Sequence, residues 1–437
     1  MNFKNLTFRG KPVYYGWVMV VGLSIVTMVS MGMLGINFGL FIEPMSRDLG
    51  VGQAFFGWAQ SGRLLGSASS GFVLGHILDR YGSRVPLAIA GLLVLGAMLL
   101  IARVTEGWQL IALFVFVGLV GLQGVGGNLY TMVSVSNWFM RKRSKAMSRV
   151  FLGTPIGIFI VAPLTAYFIG TIGWRDTVLI LGITGGLLVF LVGLFMRRRP
   201  KDMGQLMDGD SPGESQTPGE GSNEDEKQSA GAEVKEYSWT RAEALRSPAF
   251  WKLSVAFGMS VFSLSTVSLF RVPHFVNAGI DAQIVAYSLS VEAVAVFVVA
   301  IPVGYAAARF QLRYILIVSQ IVSVSVILLL FVSTEVWQVF LVNSLFGVTA
   351  TSQMITMSVI WPDYFGRDNV GVIRGLTMPI TTALSFGGPP LAGMIYDNYG
   401  SYEPAWWISI FVIVASAILF FITPKPKLPA HARAVYG

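Results

Sequence analysis

Long apolar runs separated by short polar loops constrain the fold of this 437-residue chain more than any other feature. A helix that crosses a bilayer needs about 20 predominantly apolar residues. Twelve runs meet this requirement, six on either side of a polar stretch at residues 200–236. In chain order the predicted spans are residues 13–41, 55–78, 85–102, 108–138, 146–172, 177–196, 250–277, 283–307, 314–333, 336–361, 370–396 and 406–422. The sequence therefore predicts an all-α integral membrane protein with twelve transmembrane helices in two six-helix bundles.

Composition excludes several other classes of protein. Charged residues make up 12% of the chain, against roughly 25% in soluble domains. The net charge of +8 does not indicate a nucleic-acid partner, because the basic residues lie in short loops between spans. The absence of cysteine excludes disulfides, cysteine metal sites and thiol catalysis. The three histidines have no metal-ligating spacing, and no phosphate-binding loop is present. We expect no metal, no cofactor and no enzymatic activity.

The basic residues of the loops orient the spans. Cytoplasmic loops carry an excess of lysine and arginine. The excess lies before span 1 and after every even-numbered span: Lys4, Arg9, Lys11, Arg80, Arg84, Arg141, Lys142, Arg143, Lys145, Arg149, Arg197, Arg198, Arg199, Arg309, Arg313, Arg367, Arg374, Lys425 and Lys427. Both termini are therefore predicted to be cytoplasmic, in a multi-pass protein of the plasma membrane (the inner membrane of a bacterium).

The stretch at residues 200–236 divides the chain. It is rich in Gly, Pro, Ser, Glu and Asp, which cannot bury enough apolar surface to offset the entropy of ordering. A capping box follows, in which Thr240 precedes Glu243 by three residues. We predict an N-terminal bundle at 1–199, a cytoplasmic linker ending in a short amphipathic helix at 200–246, and a C-terminal bundle at 247–437.

A charged turn between spans 2 and 3 carries a family resemblance. Its sequence is Gly75-His76-Ile77-Leu78-Asp79-Arg80-Tyr81-Gly82-Ser83-Arg84. Glycine permits close helix approach and a sharp reversal, and Asp79 can face a helix N-terminus or a basic side chain. The spacing resembles the G-x-x-x-D-R-x-G-x-R signature of the major facilitator superfamily, so Gly75, Asp79, Arg80, Gly82 and Arg84 are expected to form its gating motif. The resemblance implies a secondary transporter that works by alternating access.

Further stretches resemble one branch of that superfamily, the monocarboxylate porters and oxalate:formate antiporters. They are Tyr14-Tyr15-Gly16-Trp17, Trp138-Phe139 followed by Arg141 to Ala146, Gly153-Thr154-Pro155, and Ser247-Pro248-Ala249-Phe250-Trp251. The charged substrate contacts of the branch are not retained. Ile301 and Phe297 stand where the resemblance implies arginine and aspartate in span 8, and Ile36 stands where it implies lysine in span 1. Specificity must therefore be argued from other residues.

Three ionisable residues lie well inside spans, where charge is costly and usually functional. Arg271 in span 7 is the first candidate for an anion contact, because its guanidinium stays charged and matches a carboxylate; Pro273 beside it is expected to break the helix. Arg63 in span 2 is either a second substrate contact or a structural lock. Glu292 in span 8 is either a proton carrier or a counter-charge held ionised by a nearby arginine. The net positive interior favours an anionic cargo.

Uncharged polar side chains could complete the binding site. The candidates are Asn37, Gln123, Asn128, Tyr130, Asn343 and Gln353. Asn128 and Tyr130 differ by about 200° around a helix, so they cannot both face one ligand. Each of the six is also suited to an interhelical hydrogen bond.

The most complete interpretation is a monomeric secondary transporter of the major facilitator fold. It would move a small organic anion, a monocarboxylate, together with a proton, with membrane lipids as its other partners and without nucleic acid. A proton-driven antiporter of amphipathic drugs is the alternative within the same class. A membrane sensor without transport is the alternative from another class.

Overall fold

The computed structural model describes residues 7–8, 11–12, 14–34, 36–122, 129–209, 237–366 and 369–426. Two short strands, β1 (Thr7–Phe8) and β2 (Lys11–Pro12), pair antiparallel before the first helix. The helices of the first half are α1 (Tyr15–Leu34), α2 (Gly39–Leu49), α3 (Gln53–Tyr81), α4 (Arg84–Ile101), α5 (Gly107–Leu119), α6 (Leu129–Trp138), α7 (Arg143–Phe151) and α8 (Gly153–Phe195). The second half contains α9 (Arg241–Arg246), α10 (Pro248–Asn277), α11 (Ala282–Arg309), α12 (Leu312–Val332), α13 (Val336–Phe365), α14 (Val370–Phe386), α15 (Gly388–Tyr399) and α16 (Glu403–Phe421).

These helices confirm the all-α membrane fold with twelve spans. Within the described residues, eight helices are long and apolar enough to cross a membrane. The helix α8 has 43 residues and bends at Gly173 (φ 84°), which divides it into spans 5 and 6. The helix α3, with 29 residues, forms span 2. Spans 4 and 11 are each built from two successive helices, α5 with α6 and α14 with α15. The domain limits at 199 and 247 stay a prediction.

Proline does not end span 7, contrary to expectation. The helix α10 continues through Pro273 to Asn277. Proline has no N–H group, so the carbonyl of Leu269 loses its usual helical donor. Gly39 of the first half lies close to this carbonyl. A Cβ added to Gly39 would stand 3.1 Å from the Leu269 oxygen. The helix is thus continuous although one of its backbone hydrogen bonds cannot form.

The two halves meet at one end of the bundle, which we call the sealed end. There α3 contacts α15, α8 contacts α11, and α2 contacts α10. Side chains donate to backbone carbonyls across the halves on this side: Ser61 Oγ to Phe386 (2.6 Å), Gln283 Nε2 to Pro163 (3.1 Å) and Ser290 Oγ to Phe159 (2.9 Å).

The other end of the bundle, which we call the open end, lies where α3 finishes and α14 begins. A Cβ added to any of five glycines of α3, α11 and α14 would meet nothing within 4 Å: Gly71, Gly75, Gly304, Gly371 and Gly375. No described atom of a neighbouring helix packs against these glycines at this end. An arrangement sealed at one end and open at the other is one state of an alternating-access cycle.

The start of the linker is fixed to the first half through Asp208. Its carboxylate accepts backbone N–H groups of Met140 (3.2 Å), Arg141 (2.9 Å) and Lys142 (3.0 Å) in the turn between α6 and α7. Burial alone would raise the pKa of Asp208, but these donors and the charge of Lys142 together lower it below the ordinary value of 3.8. The end of the linker meets the second half, where the Trp239 N–H donates to the Phe365 carbonyl (2.9 Å). The predicted capping box of Thr240 and Glu243 is confirmed at α9.

We expect Asp208→Asn to destabilise the folded protein by about 1–2 kcal/mol at neutral pH, because hydrogen bonds to a charged acceptor are lost. A carboxylate whose folded pKa is lowered contributes stability above its unfolded pKa, and this contribution is lost as pH falls through the folded pKa. Thermal unfolding of both proteins should therefore differ at pH 7 and converge below pH 3.8. Asp363→Asn, at a solvent-exposed pair with Lys425, is the control with little effect. A difference that persists unchanged into acid would contradict the role of the carboxylate.

Candidate functional site

A buried ion pair joins α10 and α11, which are spans 7 and 8. The four-residue turn between α10 and α11 makes the two helices neighbours, and it brings Arg271 next to Glu292. Arg271 Nη2 donates to Glu292 Oε2 at 2.6 Å, and the two side chains are 0% and 1% exposed. The sequence analysis proposed these residues separately. The structure brings them together as one unit.

The pair leaves part of the guanidinium without a partner. Arg271 Nε and Nη1 are buried and make no hydrogen bond with any described residue. The ring of Phe346, on α13, lies 3.8 Å from Arg271 Cζ. Cation–π contact holds the guanidinium but satisfies none of its N–H donors. Unpaired buried donors are rare in proteins and call for a ligand or water.

The polar site continues one helical turn from Glu292. Asn343, a predicted substrate contact on α13, donates through Nδ2 to Ser288 Oγ at 2.6 Å. Its Oδ1 atom is buried and has no described partner. Ser288 precedes Glu292 by four residues, so both lie on one face of α11. Ser288 and Phe346 were not predicted from the sequence. Ser288 lies four positions before Glu292, and Phe346 lies three positions after Asn343, so helical spacing could have indicated both.

Gln353 belongs to a separate polar cluster in the second half. Its Nε2 donates to Gln320 Oε1 at 3.3 Å, and Gln320 Nε2 donates to Ser416 Oγ at 3.0 Å and to Ser260 Oγ. A cavity of about 10 Å³ lies between Gln353 and Phe346, which is room for about one water molecule. Gln353 is thus bonded between helices, in a cluster that does not include Arg271.

The first-half candidates Arg63 and Asn37 have neighbours from their own half. Arg63 is 8% exposed and borders a cavity of about 40 Å³ among apolar side chains that include Phe41, Met98 and Phe114. Asn37 donates through Nδ2 to the Gly32 carbonyl, and its Oδ1 has no described partner.

Tyr130 makes a structural contact. The chain turns at Gly121 (φ 72°) after α5, which leaves the Val120 carbonyl outside the helical pattern. The Tyr130 hydroxyl donates to that carbonyl at 2.9 Å. Gln123 and Asn128 lie outside the described residues.

The predicted gating motif forms the turn between α3 and α4. Gly82 has φ 74°, and its N–H donates to the Leu78 carbonyl at 2.9 Å, so the predicted reversal is present. Arg84 begins α4, and the Arg80 guanidinium lies 5.4 Å from the Tyr81 ring. Gly75 makes no close approach here, and the Asp79 side chain is outside the description.

One cation was misplaced by the sequence analysis. Arg374, counted above as a loop charge, lies in the second turn of α14. Its Nε is buried without a partner among the described residues. The adjacent open-end glycines, Gly371 and Gly375, have open space beside them, so Arg374 stands at the open end of the bundle.

Comparison with known proteins places this fold. The model of the Major Facilitator Superfamily matches residues 23–290 and 272–435. Monocarboxylate transporter 2 of Homo sapiens is 23% identical, with 96% of this chain and 89% of that protein covered. Monocarboxylate transporter 1 of Rattus norvegicus is 24% identical, with 93% and 84% covered.

Solved structures agree in fold. A bacterial homolog of the human lysosomal transporter Spinster, in an inward-facing and occupied conformation, has a TM-score of 0.68 at 12% identity, covering 94% of this chain and 97% of that one. The nucleoside transporter NupG has a TM-score of 0.70 at 15% identity, covering 94% and 100%. The chain belongs to the major facilitator superfamily, and it is a membrane transporter, not an enzyme, that resembles the monocarboxylate-porter branch.

Proposed function

We propose that this transporter moves a small organic anion, a monocarboxylate, together with a proton. The observation that carries the proposal is the buried Arg271–Glu292 pair, in which two guanidinium nitrogens have no partner among the described residues. A carboxylate is the group whose geometry best matches a guanidinium. The names of the relatives, monocarboxylate transporters, support the same cargo.

The pair gives a route to proton coupling. A substrate carboxylate that first binds Nε and Nη1 of Arg271 would then compete with Glu292 for Nη2 and for the charge of the guanidinium. A buried carboxylate left without its cation is strongly unfavourable, so Glu292 would take up a proton as the substrate arrives. Anion and proton would then bind together and leave together, and Glu292 would act as carrier and not as a fixed counter-charge.

The pair is also placed to influence the sealed end. Ser290, two residues before Glu292, donates across to the Phe159 carbonyl of the first half. Val272, next to Arg271, packs against Gly39 of the first half. A Cβ added to Gly39 would lie 3.0 Å from the Cβ of Val272. Movement of α10 against α11 when the pair separates would therefore disturb two contacts between the halves.

Orientation follows from the loop charges. With the basic loops and both termini in the cytoplasm, the open end faces the cytoplasm and the sealed end faces outward. The arrangement described above is then the inward-open state. We propose residence in the plasma membrane, or the bacterial inner membrane, as a monomer.

Thermal unfolding of the purified protein across a ligand panel tests the cargo. The panel contains small monocarboxylates, dicarboxylates, aromatic acids and lipophilic cations. Unfolding is measured with each ligand at two pH values, about 5.5 and about 7.5. A ligand that binds only the folded state at 100 times its Kd stabilises it by about 2.7 kcal/mol. We expect monocarboxylates to stabilise, and to do so more strongly at the lower pH. Stabilisation by lipophilic cations alone would favour the drug antiporter instead.

A further inference from the structure

The N-terminus of α3 is capped by a residue from the other half of the protein. The N-cap position is Gly52, which has no side chain to accept the first free N–H groups of the helix. Asp397, on α15, supplies the missing acceptors. We propose that Asp397 is a latch across the sealed end, which holds the two halves together in this state and releases them when that end opens.

The geometry is that of a complete helix cap. Asp397 Oδ1 accepts the N–H of Gln53 at 2.6 Å, and Oδ2 accepts the N–H of Ala54 at 2.9 Å. A carboxylate at this place also interacts favourably with the helix dipole. A Cβ on Gly52 would collide with the carboxylate, so the glycine makes room for a cap that arrives from outside its own segment.

Close backbone packing positions the carboxylate. Gly393 lies one turn before Asp397, and a Cβ there would stand 2.5 Å from Ala54 Cα. At Gly57, one turn into α3, a Cβ would stand 2.6 Å from the Pro389 carbonyl carbon. The two helices therefore touch backbone to backbone, and Asp397 is carried onto the end of α3.

The contact suits a reversible latch. Asp397 is exposed to solvent, so water can hydrate both the carboxylate and the freed N–H groups after separation. Its interactions with α3 exist only while the halves touch, so they favour the sealed state alone. Glu43 provides the contrast, because this carboxylate at the same end pairs with Arg47 of its own helix at 2.8 Å. The latch depends on no feature of the proposed substrate site.

Distance measurement between spin labels tests the latch. The chain has no cysteine, so Arg103→Cys and Thr334→Cys introduce the only thiols. Both positions are exposed at the sealed end, one in each half. Once each cysteine carries a spin label, double electron–electron resonance in lipid nanodiscs measures the distance between the two labels. A short distance reports molecules in which the sealed end is closed, and a long distance reports molecules in which it has opened.

The latch variants are compared in a protein that populates both the sealed and the separated form to a measurable extent. Gly393→Ala should push α15 away from α3 and populate the open form, in which the sealed end has separated. Gly57→Leu is a second substitution with the same purpose, and both are called wedges. Adding Asp397→Ala, which removes both acceptor oxygens, should raise the ratio of open to sealed form about fivefold, the size of a typical lost helix cap. Glu43→Gln, which removes the same charge at the same end, should leave the ratio unchanged.

Two results would overturn the latch. One is a ratio unaffected by Asp397→Ala in the wedged protein, or in the unwedged protein if neither wedge opens it. The other is an equal shift from Glu43→Gln, which would mean that net charge at this end, and not the cap, sets the equilibrium.

Discussion

Arg271→Gln is expected to reduce monocarboxylate uptake about 100-fold, because at least one charge-assisted hydrogen bond worth roughly 1.5–3 kcal/mol is lost together with the cation. Glutamine cannot supply a positive charge. The variant should also lose the stabilisation that monocarboxylates give the folded protein. Uptake of labelled substrate into proteoliposomes measures the first effect, and thermal unfolding measures the second.

Folding must be separated from binding in this variant. Removing one partner of a buried pair costs about 3–5 kcal/mol unless the other is neutralised. Arg271→Gln with Glu292→Gln removes both charges and should fold more stably than Arg271→Gln alone while remaining unable to bind the anion. Arg271→Lys keeps the charge but loses the planar fork, so partial uptake is expected. Arg47→Gln at the exposed pair with Glu43 is the matched control. Normal uptake by Arg271→Gln would remove Arg271 from the site.

Glu292→Gln is expected to abolish substrate accumulation driven by a pH gradient while exchange of internal for external substrate continues. Glutamine has nearly the same shape but cannot take up and release a proton. In the native protein, binding should strengthen as pH falls, since the substrate displaces a carboxylate that then needs a proton. In the variant, affinity should no longer depend on pH.

Proteoliposomes with an imposed gradient, followed by counterflow in the same preparation, measure both activities of the Glu292 variant. Glu43→Gln, at a partly buried carboxylate that pairs with Arg47 of its own helix, should accumulate substrate normally. If Glu292→Gln still accumulated substrate against its gradient, the proton would travel by another group.

The sequence predicted the spans well because hydrocarbon thickness fixes their length and composition. It could not predict how individual helices bend or end. Gly173 permits the sharp turn of α8, whereas α10 continues through Pro273 and packs closely against Gly39. Proline weakens a helix locally, but it does not by itself fix where the helix ends.

The site was predictable residue by residue but not as an arrangement. Intramembrane charge singled out Arg271 and Glu292. Their pairing depends on the rotation of two helices about their axes, which apolar periodicity does not fix when both helices are buried in a bundle. For Tyr130, the deciding factor was a carbonyl freed by the turn at Gly121. Such partners follow from tertiary structure and leave little trace in the sequence.

The most direct test of the coupled site is to count protons taken up when the anion binds. Titration calorimetry of the purified protein with a monocarboxylate, in buffers of different ionisation enthalpy, gives this number. We predict uptake of one proton per anion in the native protein at neutral pH and none in Glu292→Gln. Anion binding without proton uptake by the native protein would contradict the exchange of Glu292 for substrate at Arg271.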